Sequence, residues 1–281
     1  MSTPSVIREP AVAGMFYPAD PARLGADVDA MLERAPAPPS AARPLMLMSP
    51  HAGYPYSGAT AAAGFRWLQD HPVRSVVMIG PSHVEHFDFT SVWTGDAYET
   101  PLGRVNVDTD LGRRLAGHAE GIRESDHGHV QRHLDRGEHG LEVQLPFLQR
   151  THPDTLFVPV VMGSQNWEQC VQLGEALAAE CGPEDVILAS SDLSHFYDGA
   201  SAEALDTVFL DTLATLSPDE VYRAVSEGRC EACGAGPVIA SLIATSGADQ
   251  RRYHLLSRCH SGDITGDRTS VVGYASAVVH A

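Results

Sequence analysis

The chain has 281 residues, 43% of them hydrophobic and 20% charged, which is enough for a sizeable core in one or two domains. A formal net charge of −17 argues against nucleic-acid and anionic-membrane partners, because phosphate recognition needs a positive field. Five cysteines are odd in number and sparse, so thiols or metal ligands are expected rather than a disulfide framework.

The first residues, MSTPSVIREPAVAG, lack a basic stretch followed by an apolar one, and no apolar run approaches the roughly 18 residues of a membrane span. A cytoplasmic protein is expected. Asp20 and Pro21 read as a helix cap and first helical residue, and Leu24, Val28, Met31 and Leu32 then recur at helical spacing, which predicts a helix over 21–34. Residues 35–44 are Pro/Ala-rich and read as a loop. Five short apolar runs bounded by turn residues read as buried strands: 45–49, 75–80, 156–162, 186–190 and 271–279. Helical patterns over 59–70, 138–150, 167–180, 202–214, 218–226 and 235–246 alternate with most of them. Residues 98–107, with Pro101-Leu102-Gly103 at their middle, read as a hairpin, and the charged, His-rich stretch 119–137 reads as an exposed loop. Alternating strands and helices imply an α/β fold: one domain over 1–281, with a mostly parallel or mixed sheet covered by helices on both faces.

Three of the strands end alike. LMLMS runs into Pro50-His51, SVVMIG into Pro81-Ser82-His83, and VILASS into Asp192-Leu193-Ser194-His195. Open α/β sheets bind ligands beyond the carboxyl ends of their strands, so these histidines converge if their strands are neighbours. Imidazole suits iron, copper and zinc, and two histidines plus one anionic residue leave coordination positions open. Cys233, just before an apolar helix, is the best third ligand, since a helix N-terminus favours the thiolate. Cys230 and Cys233 also form a lone C-x-x-C pair, readable as a redox dithiol, half a zinc site, or inert buried thiols. His139 and Glu142 lie three apart at the start of a helical pattern and can share a face as an orienting or acid–base pair; a solvated helix start is the plainer alternative. Asp192 and His195, also three apart, can position substrate or relay protons. Ser190-Ser191 lacks the G-x-S-x-G elbow of a hydrolase nucleophile.

Seven segments in order resemble the Memo family, whose bacterial members are also called system protein B of the AmmeMemoRadiSam group: REPAVAGMFYP (8–18), PHAGYPYSG (50–58), GPSH (80–83), EHGLEVQLPFLQ (138–149), SSDLSH (190–195), CGAGP (233–237) and SGDITGDRTSVVGYAS (261–276). The resemblance implies a fold similar to the class III extradiol dioxygenases, with His51 and His83 at the two histidine ligands and Cys233 at the position of a carboxylate ligand. It places His195 at an acid–base histidine, with Asp192 in the same motif. His139 and Glu142 fall in the family's EHS-type motif, where Gly140 replaces the usual serine. The resemblance also implies partnership with radical-SAM and AMMECR-type proteins.

The expected function is a metal-dependent, dioxygenase-like oxidoreductase using non-haem iron, with copper as a competitor because the thiolate softens the site. Tyr54 and Tyr56 are candidate substrate-lining residues, with core packing as their plain alternative. The competing readings are a non-catalytic metal- or peptide-binding module and a zinc-dependent hydrolase.

Overall fold

Short, fully apolar runs with no alternating polar face have to be covered on both sides, and the central strands of this chain are buried along nearly their whole length. A computed structural model describes residues 5–130 and 137–281. In chain order its strands are β1 (Ile7–Arg8), β2 (Pro44–Ser49), β3 (Ser75–Pro81), β4 (Thr90–Val92), β5 (Ala97–Thr100), β6 (Gly103–Asn106), β7 (Ile122–Glu124), β8 (Leu156–Met162), β9 (Asp185–Ser190), β10 (His195–Tyr197), β11 (Arg252–His260) and β12 (Val271–His280). The α-helices are α1 (Pro21–Arg34), α2 (Tyr54–Leu68), α3 (Thr109–Ala116), α4 (Leu145–Thr151), α5 (Trp167–Glu180), α6 (Gly199–Ala214), α7 (Pro218–Ser226), α8 (Ala235–Ala244) and α9 (Ser261–Thr265).

The large sheet runs β10-β12-β2-β9-β3-β8-β4-β7, with β11 also paired to β12. Strands β2, β9, β3 and β8 are mutually parallel, while β12 and β4 run antiparallel to β2 and β8, so the sheet is mixed. One apolar layer packs residues of α5, α6, α7 and α8 against one face, and a second packs α1, α2 and α4 against the other. The α/β reading with helices on both faces therefore holds.

The five buried strands are all present, and the helix over 21–34 is found at those bounds, capped by the Asp20 carboxylate accepting from the Arg23 N–H. The hairpin is β5–β6, and β1 joins it in a separate small sheet. Two helices differ. The one read over 59–70 starts at Tyr54, because Gly53 ends the preceding loop and Pro55 sits comfortably in the first turn. The one read over 138–150 is a turn, then a 3₁₀ turn (Glu142–Gln144), then α4. Part of the loop read over 119–137 forms β7 at the sheet edge, and residues 131–136 lie outside the described ones. Among the described residues no helix is long and apolar enough to cross a membrane.

Candidate metal centre

Strands β2, β9 and β3 are direct neighbours in parallel register, with Ser49 beside Ser190 and Ile79 beside Ala189. The chain leaves all three at the same sheet edge. His51, Asp192 and His83 follow within two residues of the strand ends, so two of the three expected histidines, His51 and His83, come together, while His195 lies on β10 and lines the neighbouring cleft. Helix α8 begins at the same edge, with Cys233 immediately before its Gly234 cap.

His51 is 2% exposed, and its Nε2 lies 3.2 Å from Cys233 Sγ. Its tautomer follows from its neighbours. Ser190 Oγ donates its only hydrogen to the Gly140 carbonyl and accepts from Gln144 Nε2 at 2.9 Å. It can meet His51 Nδ1, at 2.9 Å, only as an acceptor. His51 therefore carries a hydrogen at Nδ1, and its Nε2 faces the sulfur. His83 is built likewise: its Nδ1 donates to Glu138 Oε1 at 2.9 Å. Burial opposes charge on the His83 ring, yet its bonds to Cys233 and Glu138 raise its pKa to about 10. Burial pushes the Cys233 thiol up, but the two imidazoles outweigh it and bring its pKa down to about 7. Without a cation a proton is shared between the imidazoles and the sulfur, and a cation would replace it.

His139 completes a cluster in which His51, His83 and His139 each offer a ring nitrogen, all within 4.8 Å of one another. Its ring stacks on His83 with centroids 4.9 Å apart and packs on Phe16 at 4.6 Å. Burial and the neighbouring imidazoles lower its pKa to about 3, so it is neutral. The donor set of neutral imidazoles with one thiolate alongside suits a borderline transition-metal ion.

Glu138 holds this arrangement. Its two oxygens accept from the His83 N–H at 2.6 Å, the His83 ring, and the N–H groups of His139 and Gly140, both at 2.8 Å. Burial works against its charge, but these donors hold its carboxyl well below the usual range. Arg8 in turn donates to the Glu138 carbonyl.

A Memo-like protein family model matches residues 8–278. The chain belongs to the Memo family. MEMO1 family proteins of Methanothermobacter thermautotrophicus and Methanosarcina mazei are 36% and 34% identical to it over 280 and 277 residues, covering 96% and 97% of this chain and 99% of each relative. The crystal structure of an uncharacterized protein from Escherichia coli K12 shares the fold, with a TM-score of 0.54 at 18% identity, over 85% of this chain and 100% of that one.

Within this Memo-family chain, the remaining candidate residues separate. His139, Asp192, His195 and Tyr56 line a cleft of about 310 Å³ beside the donor cluster. Asp192 Oδ1 accepts the His51 N–H at 2.8 Å, its own N–H donates to Cys233 Sγ at 3.2 Å, and burial raises its carboxyl pKa. Glu142 is not paired with His139. The expected helix has not begun there, and the Glu142 carboxylate turns away to take Arg8 at 2.6 Å, the N–H groups of Ala11 and Val12, and the Tyr17 hydroxyl. It anchors the segment that carries Met15 and Phe16 to the cleft mouth. Tyr54 likewise lies in the core, donating to the Val143 carbonyl at 2.8 Å and packing on Phe147. Two helical positions differ by about 200°, so only Tyr56 of that pair faces the cleft. A Cβ on Gly140 would sit 3.3 Å from Glu138 Oε1 and 3.5 Å from His51 Nδ1, so a side chain there would press on the carboxylate that orients His83. Cys230 is a buried core thiol whose pKa burial raises, and all five cysteines are free. Glu138 and Gln144 escaped the sequence reading, which weighed Ser190 only as a nucleophile. Glu138 could have been flagged as the acid beside His139 in the EHGLE motif, while nothing local marks Gln144 or the contacts of Ser190.

Proposed function

We propose that this Memo-family protein is a metal-dependent oxidoreductase with a centre similar to that of the class III extradiol dioxygenases, holding iron in preference to copper. The observation that carries the reading is the pair of imidazoles, His51 buried and His83 at the surface, each fixed at Nδ1 by its own acceptor and both bonded to one sulfur, Cys233, beside a cleft. His51, His83 and Cys233 would hold the ion, and His139 stands on the cleft side of them. A redox-active divalent cation there supplies Lewis acidity and one-electron chemistry. Asp192 positions His51 through its backbone and faces the ligand. His195, on the far side of the same cleft, holds or moves a proton on the bound ligand. His139, neutral in its half-buried place, can exchange a hydrogen bond with that ligand.

The test is metal content of protein purified without chelators, followed by oxygen uptake with aromatic diols. His51→Ala and His83→Ala should each remove most of the ion. Cys233→Ser should abolish the sulfur-to-copper absorption of the copper(II) form, and His195→Ala should keep the ion while changing oxygen uptake. Full metal content in His51→Ala and His83→Ala would refute the donor assignment. Retained copper with an unchanged spectrum in Cys233→Ser would give the third position to His139. Zinc as the resident ion would favour hydrolysis instead.

A further inference from the structure

The cleft beside the donor cluster carries a chemical bias of its own. Three of its lining residues are aromatic, Phe16, Tyr56 and Tyr274, and Met15, 69% exposed, stands at its mouth. Tyr274, Tyr56 and Asp192 line the same cleft, so ring and carboxylate act on one volume. Asp192 is 4% exposed. No lysine or arginine lines the cleft among the described residues. An anionic ligand would therefore meet a buried carboxylate and the negative faces of aromatic rings, opposed only by the imidazoles of His139 and His195. A cation would meet favourable potential from both, and such attraction grows where water is excluded. A resident divalent ion does not reverse this: Cys233, Glu138 and Asp192 together bring three negative charges against its two. The overall charge of −17 works in the same direction over longer range.

We propose that the cleft binds an organic ammonium ion, an alkylated amine whose positive end sits among Phe16, Tyr56 and Tyr274 and against Asp192. This names the ligand class of the proposed active site and rests on that reading only for the cleft being the substrate's place.

The test compares three ligands of one shape on the metal-loaded full chain by calorimetry or ligand-detected NMR: choline, its uncharged carbon isostere 3,3-dimethylbutan-1-ol, and the anion 3,3-dimethylbutanoate. Choline should bind about ten-fold more tightly than the alcohol, and the carboxylate most weakly. Tyr56→Ala, at a half-exposed helix position away from the donors, should cut choline affinity about five-fold and leave the metal content unchanged. Asp192→Asn should reduce the preference for choline over the alcohol. Equal binding of choline and the alcohol, no choline binding, tighter binding of the carboxylate, or choline binding indifferent to both substitutions would each overturn the proposal. Metal content measured on the same samples keeps the two readings apart. A metal-free protein that still prefers choline refutes the redox centre and not the cation site, while a metal-replete protein indifferent to charge does the reverse.

Discussion

Replacing Glu138 by glutamine removes one charge and one acceptor from a fully enclosed group. The carboxylate, 4% exposed, accepts from the His83 N–H, the His83 ring, and the N–H groups of His139 and Gly140. A carboxamide keeps a single acceptor oxygen. Its less costly placement leaves that oxygen on the ring and the two N–H groups at Oε1, and turns the NH₂ toward the His83 N–H. The 2.6 Å bond is then lost and two donors face each other. A charge-assisted bond of this kind contributes about 1.5–3 kcal/mol, and the remaining bonds weaken when the charge goes, so unfolding free energy should fall by about 2–4 kcal/mol. The His83 ring also loses its carboxylate partner, a change that typically costs about 10–100-fold in metal affinity, or about 1.4–2.7 kcal/mol. Urea denaturation of metal-stripped protein reads the first quantity, and competition against a chromophoric chelator reads the second. Metal affinity within about two-fold of the parent, in a variant that shows the stability loss, would refute the claim that Glu138 orients His83.

Cys230→Ser should leave metal content unchanged and lower stability by about 1–3 kcal/mol, since it puts a hydroxyl among core apolar groups; thermal melts with metal analysis check both. Tyr54→Phe should cost about 1 kcal/mol by leaving the Val143 carbonyl unpaired, with no effect on the ligand affinity of the cleft, measured in parallel with Tyr56→Ala. Asp108 sits in a buried knot with Ser75, the Leu111 N–H and Arg74, and although burial opposes its charge, these partners lower its pKa. A lowered folded-state pKa adds stability that is complete above the ordinary aspartate range and is lost as pH falls through and below it. Urea denaturation from pH 6 to pH 3 should therefore show a steeper decline for the parent than for Asp108→Asn, and parallel declines would sink this account.

The parts of the fold legible in the sequence were those where one physical signal dominates. The runs that became β2, β3, β8 and β9 are apolar on both faces because both faces are covered. Strand β11 was missed because its residues are mostly half-buried and it carries Arg252, His254 and Arg258, so no continuous apolar run marks it. Strands β4 and β7, three residues each, are too short to show a period. At the site, His51, His83 and Cys233 could be found because each follows a strand or precedes a helix, where topology sets position. Glu142 was misassigned because the three-residue rule presumes a helix, and the turn at Gly140 sends His139 and Glu142 to different places. Gln144 reaches Ser190 across 46 residues of sequence, a contact with no local trace.

The span between the centre's imidazole and thiolate sides bears on how the protein is made. His51 and Cys233 are 182 residues apart along the chain. A ribosome adding about 5–20 residues per second needs roughly 9–36 s to travel from one to the other. During that interval the first histidines exist without their sulfur, and β12, which flanks β2, has yet to be synthesised. On the proposed donor set, ion capture at the finished geometry would follow synthesis of nearly the whole polypeptide, and a product arrested before Cys233 would be a chain without the proposed sulfur ligand.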